Sequence, residues 1–445
     1  MSEAAIHQAR EQGVGLIVTV DCGITAKHEI EIARSHGMDV IVIDHHRLPS
    51  DGLPDTHLIL NPLQEDCPYP FKELSAAGLA FKLSQTLISD AAFDFLDLVA
   101  LSTISDIAPL VGENRILVKK GLALLSERKN PGIRALSAVA KMKASKVDVG
   151  HVGFILGPRL NAAGRMSSAD TALQLLMTQN PREAESLAKI LDEENKARQK
   201  MERETTQEAM RKVERTVNFN RERVIVVDGQ GWHRGVIGIV ASRLVEKYER
   251  PAVVISVEEG VGRGSGRSIK SFHLFNALSA CGSVLEEFGA HAQAAGITVT
   301  EKNIPLLREK INAFAMEHLS AGELKRHVTV DMELKLHELT GCFIEELELL
   351  EPHGMGNPRP VFQSNGLRLT SKPKRLYGET YEVVLTEGPL SFQAHLNEKQ
   401  MLLCATSGAE ACFEAAYSIK TKLWNGMKTL VLSVKEFREQ FPAVF

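Results

Sequence analysis

The sequence predicts an α/β protein in several parts: a parallel-sheet domain, a long connecting helix, a second α/β domain and a small C-terminal β-barrel. Three observations carry this reading. Near the N-terminus the continuous apolar runs GLIVTV (15–20) and DVIVI (39–43) alternate with helical patterns, as buried parallel strands do. Residues 181–217 hold no interior Gly or Pro and are rich in helix formers. Beyond residue 325 the texture changes to short alternating segments. A chain of 445 residues is long enough for about three domains.

Taken in order, an amphipathic helix is expected at about 2–12, a strand at 15–20, a helix at 26–37 ending near Gly37, and a second strand at 39–43. Two such strands joined by one helix make a right-handed βαβ unit, so their C-terminal ends share one edge of a sheet. Helices are expected at about 72–89, 91–105 and 115–127. The apolar stripe of 181–217 is thin, as in a helix that bridges two domains. A new α/β unit starts at RVIVVDG (223–229) and continues with a helix at 235–248, the strand PAVVISV (251–257) and a helix at 303–320. The segment HVTVDMELKL (327–336) reads as alternating strand, 338–350 as helix, and 416–437 as a hairpin turning at Asn425-Gly426. The resulting division is 1–180, a connecting helix at 181–218, then 219–322 and 325–445.

Composition narrows the class. The chain is 44% apolar, 24% charged and 5% aromatic, ordinary for a soluble globular protein. No apolar run approaches the ~20 residues of a membrane span, and MSEAAIHQAREQG has no features of an export signal. Six scattered cysteines without a CxxC pair argue against a disulfide framework and a thiolate zinc site, and fit a reducing cytoplasm. The net charge of −4 does not advertise nucleic-acid binding, yet the basic stretches 141–146, 262–270 and 368–375 leave room for a basic groove.

The chemistry concentrates at strand ends. Asp21 follows the first strand, and Asp44, His45 and His46 follow the second, on the edge where open α/β sheets bind ligands. Carboxylates mixed with imidazoles suit Mn²⁺ or Mg²⁺, and two such ions would clamp a phosphoryl group. The competing reading makes Asp44 a loop cap and the histidines surface groups. Asp106, at the end of the apolar helix 93–105, is unfavourable against the helix dipole, and a cation would compensate it.

TVDCGI (19–24), VIDHH (42–46), LVALSTISDIAPLVGENR (98–115) and GPRLNAAGRM (157–166) together resemble the DHH phosphoesterase superfamily and, within it, the RecJ family of single-strand DNA exonucleases. The resemblance runs over essentially the whole chain. GWHRGVIGIVASRL (231–244), GSGRS (264–268) and FGAHAQAAG (288–296) are similar to that family's DHH-associated domain, and LEPHGMGNPRPVF (350–362) to its OB-fold domain. The resemblance implies that Asp21 bridges two metal ions, that His45 and Asp106 complete one ion's shell, and that Asp44 and His46 orient ligands or contact the scissile phosphate. It implies phosphate binding by Arg159, Asn161 and Arg165, in what reads as a Gly/Pro-broken loop, and by Ser265 and Arg267, where glycine N–H groups would also approach the anion. From the residues alone the first reads equally as turn chemistry with surface charge and the second as a flexible strand connection. His291 belongs to the matching element, although Ala290 stands where the family usually has glycine. His233 is either a site residue or a structural histidine at a helix start. Lys372, Lys374, Arg375, Tyr377 and Tyr381 would form the barrel's basic and aromatic surface for single strands.

The implied activity is Mn²⁺- or Mg²⁺-dependent 5′-to-3′ degradation of single-stranded DNA in repair and recombination. The implied protein is a cytoplasmic monomer, with a single-strand-binding protein or a helicase as partner and no membrane association. One family feature does not occur here: a DYDxDG-type motif upstream of the Asp21 strand, whose aspartates are metal ligands. The sequence is therefore expected to be incomplete at its N-terminus, with the first strands of the sheet and part of the metal shell outside it. The alternatives are half of a split enzyme, a non-catalytic single-strand-binding fragment or paralogue, and a relative acting on short oligonucleotides or cyclic dinucleotides, which would not need the barrel.

Overall fold

The computed structural model describes residues 1–324, 327–378, 380–408, 411–424 and 427–440. Helix α1 (Glu3–Glu11) is capped by the Ser2 hydroxyl, which accepts the Ala5 N–H. It leads into β1 (Leu16–Val20), α2 (Lys27–Ser35) and β2 (Asp39–Ile43), the expected βαβ unit. The two strands pair in parallel from Leu16 opposite Asp39 to Val20 opposite Ile43, and β3 (Leu58–Leu60) extends the sheet beyond β2. Val40 and Val42 are fully buried in a cluster with Ile6 of α1 and Ile30 of α2, which fixes the register of the central strand. Strand β1 lies at the sheet edge, and Leu16, Val18 and Val20 on one of its faces stay about half exposed. Helices α3 (Ala76–Ile88), α4 (Leu96–Ser105) and α5 (Gly112–Glu127) follow. The helix expected from residue 91 is a 3₁₀ turn over Ser89–Phe95 and becomes α-helical only at Leu96.

Next come α6 (Pro131–Val139), α7 (Val149–His151), a π turn at Val152–Leu156, α8 (Gly157–Met166), α9 (Asp170–Met177) and α10 (Pro181–Thr216). The five-stranded sheet that follows has the order β4-β5-β6-β8-β7, with β4 (Ile225–Gln230), β5 (Ala252–Glu258), β6 (Val261–Arg267), β7 (Glu287–Ala290) and β8 (Ala294–Thr300). Only β4 and β5 are parallel. Helix α11 (Arg234–Tyr248) and the C-terminal part of α10 cover one face of this sheet, while α12 (Leu274–Ala280) and α13 (Ile304–His318) cover the other.

The last part contains β9 (Met332–Glu333), α14 (Gly341–Glu348), β10 (Phe362–Leu369), β11 (Lys374–Tyr377), β12 (Thr380–Glu387), β13 (Leu390–Asn397), α15 (Glu398–Thr406), β14 (Cys412–Trp424) and β15 (Met427–Gln440). Pairing runs β10-β12-β13-β15-β14 and back to β10, which closes a five-stranded barrel around Phe362, Leu367, Leu385, Leu396 and Tyr417. The strand expected over 327–336 shrinks to two residues. Its backbone bonds to β10 as far as Leu334, and then the Leu336 N–H is taken by the Glu387 carboxylate as the chain enters a 3₁₀ turn. The antiparallel pairing of β14 with β15 is the expected hairpin, whose Asn425-Gly426 turn lies outside the described residues.

Two compact units result. One comprises Met1–Glu127, Ala144–Gly153 and Val328–Phe445, and the other Arg128–Lys143 and Phe154–His327. The barrel therefore shares a unit with the N-terminal sheet, and α10 lies wholly inside the other. Helix α10 is packed along its length: Ala184, Ala188, Leu191, Asp192, Asn195, Arg198, Thr205, Ala209 and Val213 are all buried. Four of these nine residues are polar or charged, so a hydropathy reading sees a thin stripe where the packing is continuous. Among the described residues no helix is long and apolar enough to cross a membrane.

Candidate metal centre and phosphate-binding residues

Strands β1 and β2 end side by side and deliver Asp21 and Asp44-His45-His46 to the same edge. The Asp21 N–H donates to the Ile43 carbonyl at 3.0 Å, one step past the ladder, and its φ of 65° is left-handed, a conformation that Asp tolerates. His45 Nε2 lies 3.0 Å from Asp21 Oδ1 and 3.7 Å from Asp106 Oδ2. The His45 and His46 rings meet edge to face with centroids 4.8 Å apart. One ligand atom from each of Asp21, His45 and His46 lies within 4.8 Å of the others.

Asp44 is 1% exposed, and both of its oxygens are used inside the protein. Oδ2 accepts the Ile24 N–H at 3.0 Å, and Oδ1 accepts the His46 N–H at 3.1 Å and His46 Nδ1 at 2.7 Å. Burial works to raise its pKa, but the two backbone N–H groups and the His46 ring outweigh it, and the carboxyl sits below the ordinary aspartate range. Its geometry is that of an orienting group; with no open surface it has no route to a phosphate. With Nδ1 bound to Asp44, His46 presents Nε2 as the free ring nitrogen.

Asp106 caps α4, and the chain then turns through Ile107 at φ 61°. The Ile107 N–H donates to Ile104 O and the Ala108 N–H to Thr103 O, both at 3.1 Å, a complete Schellman closure. Burial raises the Asp106 pKa, the His45 charge draws it down, and nearby Asp21 pushes it up again. Like-charged carboxylates crowded around an imidazole would be relieved by a cation. This donor set, oxygen and imidazole nitrogen without thiolate, fits Mn²⁺ or Mg²⁺.

Sequence reading missed Asn61. It is 2% exposed, donates to His46 O at 2.9 Å and accepts the Leu63 N–H, which pins the backbone of the histidine pair. An Asn before Pro62 reads simply as a turn residue, so no signal marked it.

The other expected residues lie in the second unit. Arg159, Asn161 and Arg165 stand on helix α8, not on a loop. Pro158 occupies the first turn, where its missing N–H costs nothing, and Gly164 is tolerated near the helix end. Arg159 is largely committed inside the protein: Nε donates to Asp192 Oδ1 at 2.9 Å and Nη1 to Ile155 O at 2.8 Å. Asn161 is exposed. Arg165 Nη1 donates to Gly235 O at 3.1 Å. The Arg165 guanidinium keeps solvent on one side but is crowded elsewhere; that desolvation, followed by the Arg198 charge, lowers its pKa, and Glu202 offsets part of the effect. Desolvation and then Arg165 do the same to Arg267. Arg198, held by Asn195 and Glu202 on α10, was not expected in this cluster, because a charge on a long polar helix reads as a solvated face.

The glycines of GRGSGRS do a different job from the one expected. Strand β6 is hydrogen-bonded on both sides, so its backbone N–H groups belong to the sheet. A Cβ on Gly262, Gly264 or Gly266 would stand 2.8, 2.7 or 2.7 Å from Ile255, Ile297 or Leu274, so close packing requires them. Ser265 and Arg267 point to the opposite face, beside Gly238 of α11, with Arg267 Nη1 donating to Ser265 Oγ at 3.1 Å. His291 is exposed just beyond β7, where Ala290 pairs with Ala295 as an ordinary strand residue. His233 caps α11, its Nδ1 accepting the Gly235 N–H at 3.0 Å. On the barrel, Lys372, Lys374 and Arg375 are exposed and Tyr381 half-buried, while the Tyr377 side chain lies outside the described residues.

This fold and this strand-end cluster define a protein of the DHH class. The DHH family N-terminal domain matches residues 3–103, the DHHA1 domain 221–317 and the RecJ OB domain 330–436. The chain is 34% identical over 470 aligned positions to the single-stranded-DNA-specific exonuclease RecJ of Escherichia coli, covering 98% of this chain and 77% of that protein. To the Bacillus subtilis protein of the same name it is 42% identical, over 81% of this chain and 46% of that protein. The chain belongs to the RecJ family of single-stranded-DNA-specific exonucleases. The crystal structure of RecJ in complex with Mn²⁺ from Thermus thermophilus superposes with a TM-score of 0.83 at 29% identity, covering 99% of this chain and 64% of that one. The chain thus spans about half the length of the Bacillus relative and about three quarters of the Escherichia one.

Proposed function

We propose that this chain carries the metal-dependent phosphodiesterase centre of a 5′-to-3′ exonuclease acting on single-stranded DNA. The observation that carries the reading is the convergence of Asp21, His45, His46 and Asp106 at the ends of β1, β2 and α4, with His45 Nε2 between the two carboxylates. Those four residues would hold a divalent ion, Mn²⁺ or Mg²⁺. When bound, such an ion neutralises charge on a phosphoryl oxygen and makes a water acidic enough to attack phosphorus. Asp44 and Asn61 hold the histidine pair in place, from the side chain and from the backbone. Arg165, Ser265 and Arg267 offer guanidinium and hydroxyl donors suited to a backbone or terminal phosphate. The closed barrel, with Lys372, Lys374 and Arg375 exposed, supplies a surface of the kind that holds single strands. The net reaction adds water across one P–O bond and releases a nucleotide with its phosphate.

The same reading makes the chain a cytoplasmic monomer serving DNA repair and recombination beside a single-strand-binding protein or a helicase. Support for the compartment comes from cysteine usage: Cys22, Cys67, Cys281, Cys342, Cys404 and Cys412 are all free thiols. The test is end-labelled single-stranded DNA incubated with Mn²⁺ and either the parent chain or His45→Ala. Mononucleotide release by the parent and its loss in the variant are expected. Salt-sensitive binding without release would assign the chain to single-strand binding alone.

A further inference from the structure

The link between α4 and α5 carries Asp106 at one end, and at the other it is gripped by the barrel part of the same unit. The Leu110 N–H donates to Met355 O at 2.7 Å. Gly354 lies so close that a Cβ there would stand 2.6 Å from Leu110 Cδ1, and one on Gly356 would stand 3.2 Å from Pro109 and Val111. Arg115, in the first turn of α5, donates to the carbonyls of Leu349 at 2.6 Å and Glu351 at 3.2 Å, just beyond α14. The gripping loop is itself braced, because Asn357 Nδ2 donates to Leu350 O and Pro352 O, both at 2.9 Å. From the other side Asn114, fully buried, donates to Pro109 O at 3.0 Å.

None of these groups is a candidate metal ligand: Met355, Gly354, Gly356 and Asn114 act on a short stretch of backbone next to one, and Arg115 and Asn357 hold the loop that grips it. That backbone contains Ile107, a β-branched residue in the left-handed region with 64% of its surface exposed. Its own packing does not hold it there. Such a residue persists only where the surroundings over-determine it.

We propose that the loop 350–360 of the barrel part, acting through Leu110 and Arg115, is the positioning element for the Asp106 carboxylate. Metal affinity at the strand-end centre then depends on the barrel being docked. The inference rests on the metal-centre reading above. It assigns Gly354 and Arg115 as positioning residues, a role independent of single-strand binding by the barrel.

The test uses the 445-residue chain with Gly354→Val and, separately, Arg115→Ala. Mn²⁺ binding is followed by the paramagnetic resonance of free Mn²⁺, docking by hydrogen exchange at the Leu110 amide, and folding by far-UV circular dichroism. Faster Leu110 exchange together with an increase of about ten-fold in the Mn²⁺ dissociation constant is expected, the size typical of losing an outer support of a metal ligand. Single-strand affinity should stay unchanged. If Gly354→Val does not fold, Arg115→Ala carries the test, because its half-buried guanidinium bonds to loop carbonyls and belongs to no hydrophobic cluster. A folded variant with an exposed Leu110 amide and a Mn²⁺ constant within two-fold of the parent overturns the inference alone. A parent chain that binds no Mn²⁺ overturns the metal reading and this inference with it.

Discussion

Replacing Asp44 by Asn changes one atom and should damage both stability and metal binding. The carboxylate accepts three hydrogen bonds in a site 1% exposed. Bonds to an ionised acceptor contribute roughly 1.5–3 kcal/mol each, and those to a neutral one roughly 0.5–1.5 kcal/mol. With its carbonyl toward His46, the amide keeps two of the three bonds, each weakened by about 1 kcal/mol, and turns its NH₂ on the Ile24 N–H. That buried donor, left unpaired, costs about 1–3 kcal/mol more, so the total is about 3–5 kcal/mol. Urea denaturation of the chain should show a transition moved down by that amount. Mn²⁺ affinity should fall about 10- to 100-fold, because His46 loses the group that fixes its ring and tautomer. The acid limb should change as well. Because the folded pKa of Asp44 lies below the unfolded value near ~3.9, its stabilisation is complete above that value and is lost as pH falls through the lower folded one. The Asn variant lacks that dependence. Equal urea midpoints and equal Mn²⁺ affinities for parent and variant at pH 7 would refute the assignment of Asp44 as organiser of the histidine pair.

Asp192→Asn should cost about 3 kcal/mol, since it leaves the Arg159 charge in a largely buried site. Arg159→Ala should cost less, because Lys196 Nζ stays 2.7 Å from Asp192 Oδ2, and in a urea double-mutant cycle the two costs should fall short of adding. Gly264→Ala should destabilise by about 1–3 kcal/mol in a thermal melt, because its Cβ would meet Ile297 Cγ1 at 2.7 Å. Lys374→Ala on exposed β11 should weaken single-strand binding and reduce the slope of log affinity against log salt by about 0.7, the effect of one lost phosphate contact.

The parts of the fold legible in the sequence are those where one pattern decides. GLIVTV and DVIVI read as parallel strands, and the helix between them places Asp21 beside Asp44 without further information; burial applies only to DVIVI, since β1 lies at the sheet edge with Leu16, Val18 and Val20 about half exposed. The long helix is legible for the same reason. What escaped reading depends on a neighbour far away in sequence. Pro158 and Gly164 suggest a loop, yet 157–166 is helical, with Arg159 bonded to Asp192 and α8 packed against α10. The alternating glycines of β6 suggest an anion cradle, and only the positions of Ile297 and Leu274 reveal them as a packing device. Asn61, Asn114 and Arg115 bond to backbone carbonyls, which leave no trace in side-chain pattern. The grip of Met355 on Leu110 joins residues that no local rule could bring together.

Helix α10 has a consequence for what can be inserted into this chain. Over its 36 residues it runs for roughly 54 Å. Asp192, a third of the way along, must meet Arg159, while Ala209 and Val213 near the C-terminal end must meet the core under β4. One residue added between Arg198 and Thr205 would swing the far half by roughly 100° and push it roughly 1.5 Å along the axis. Ala209 and Val213 would then face water while Asp192 stayed in place. Seven added residues would bring the faces back to within about 20°, but some 10 Å too far along. The helix therefore works as a vernier: its residue count between Asp192 and Ala209 is itself specified, because it sets both the angle and the distance between two packed faces.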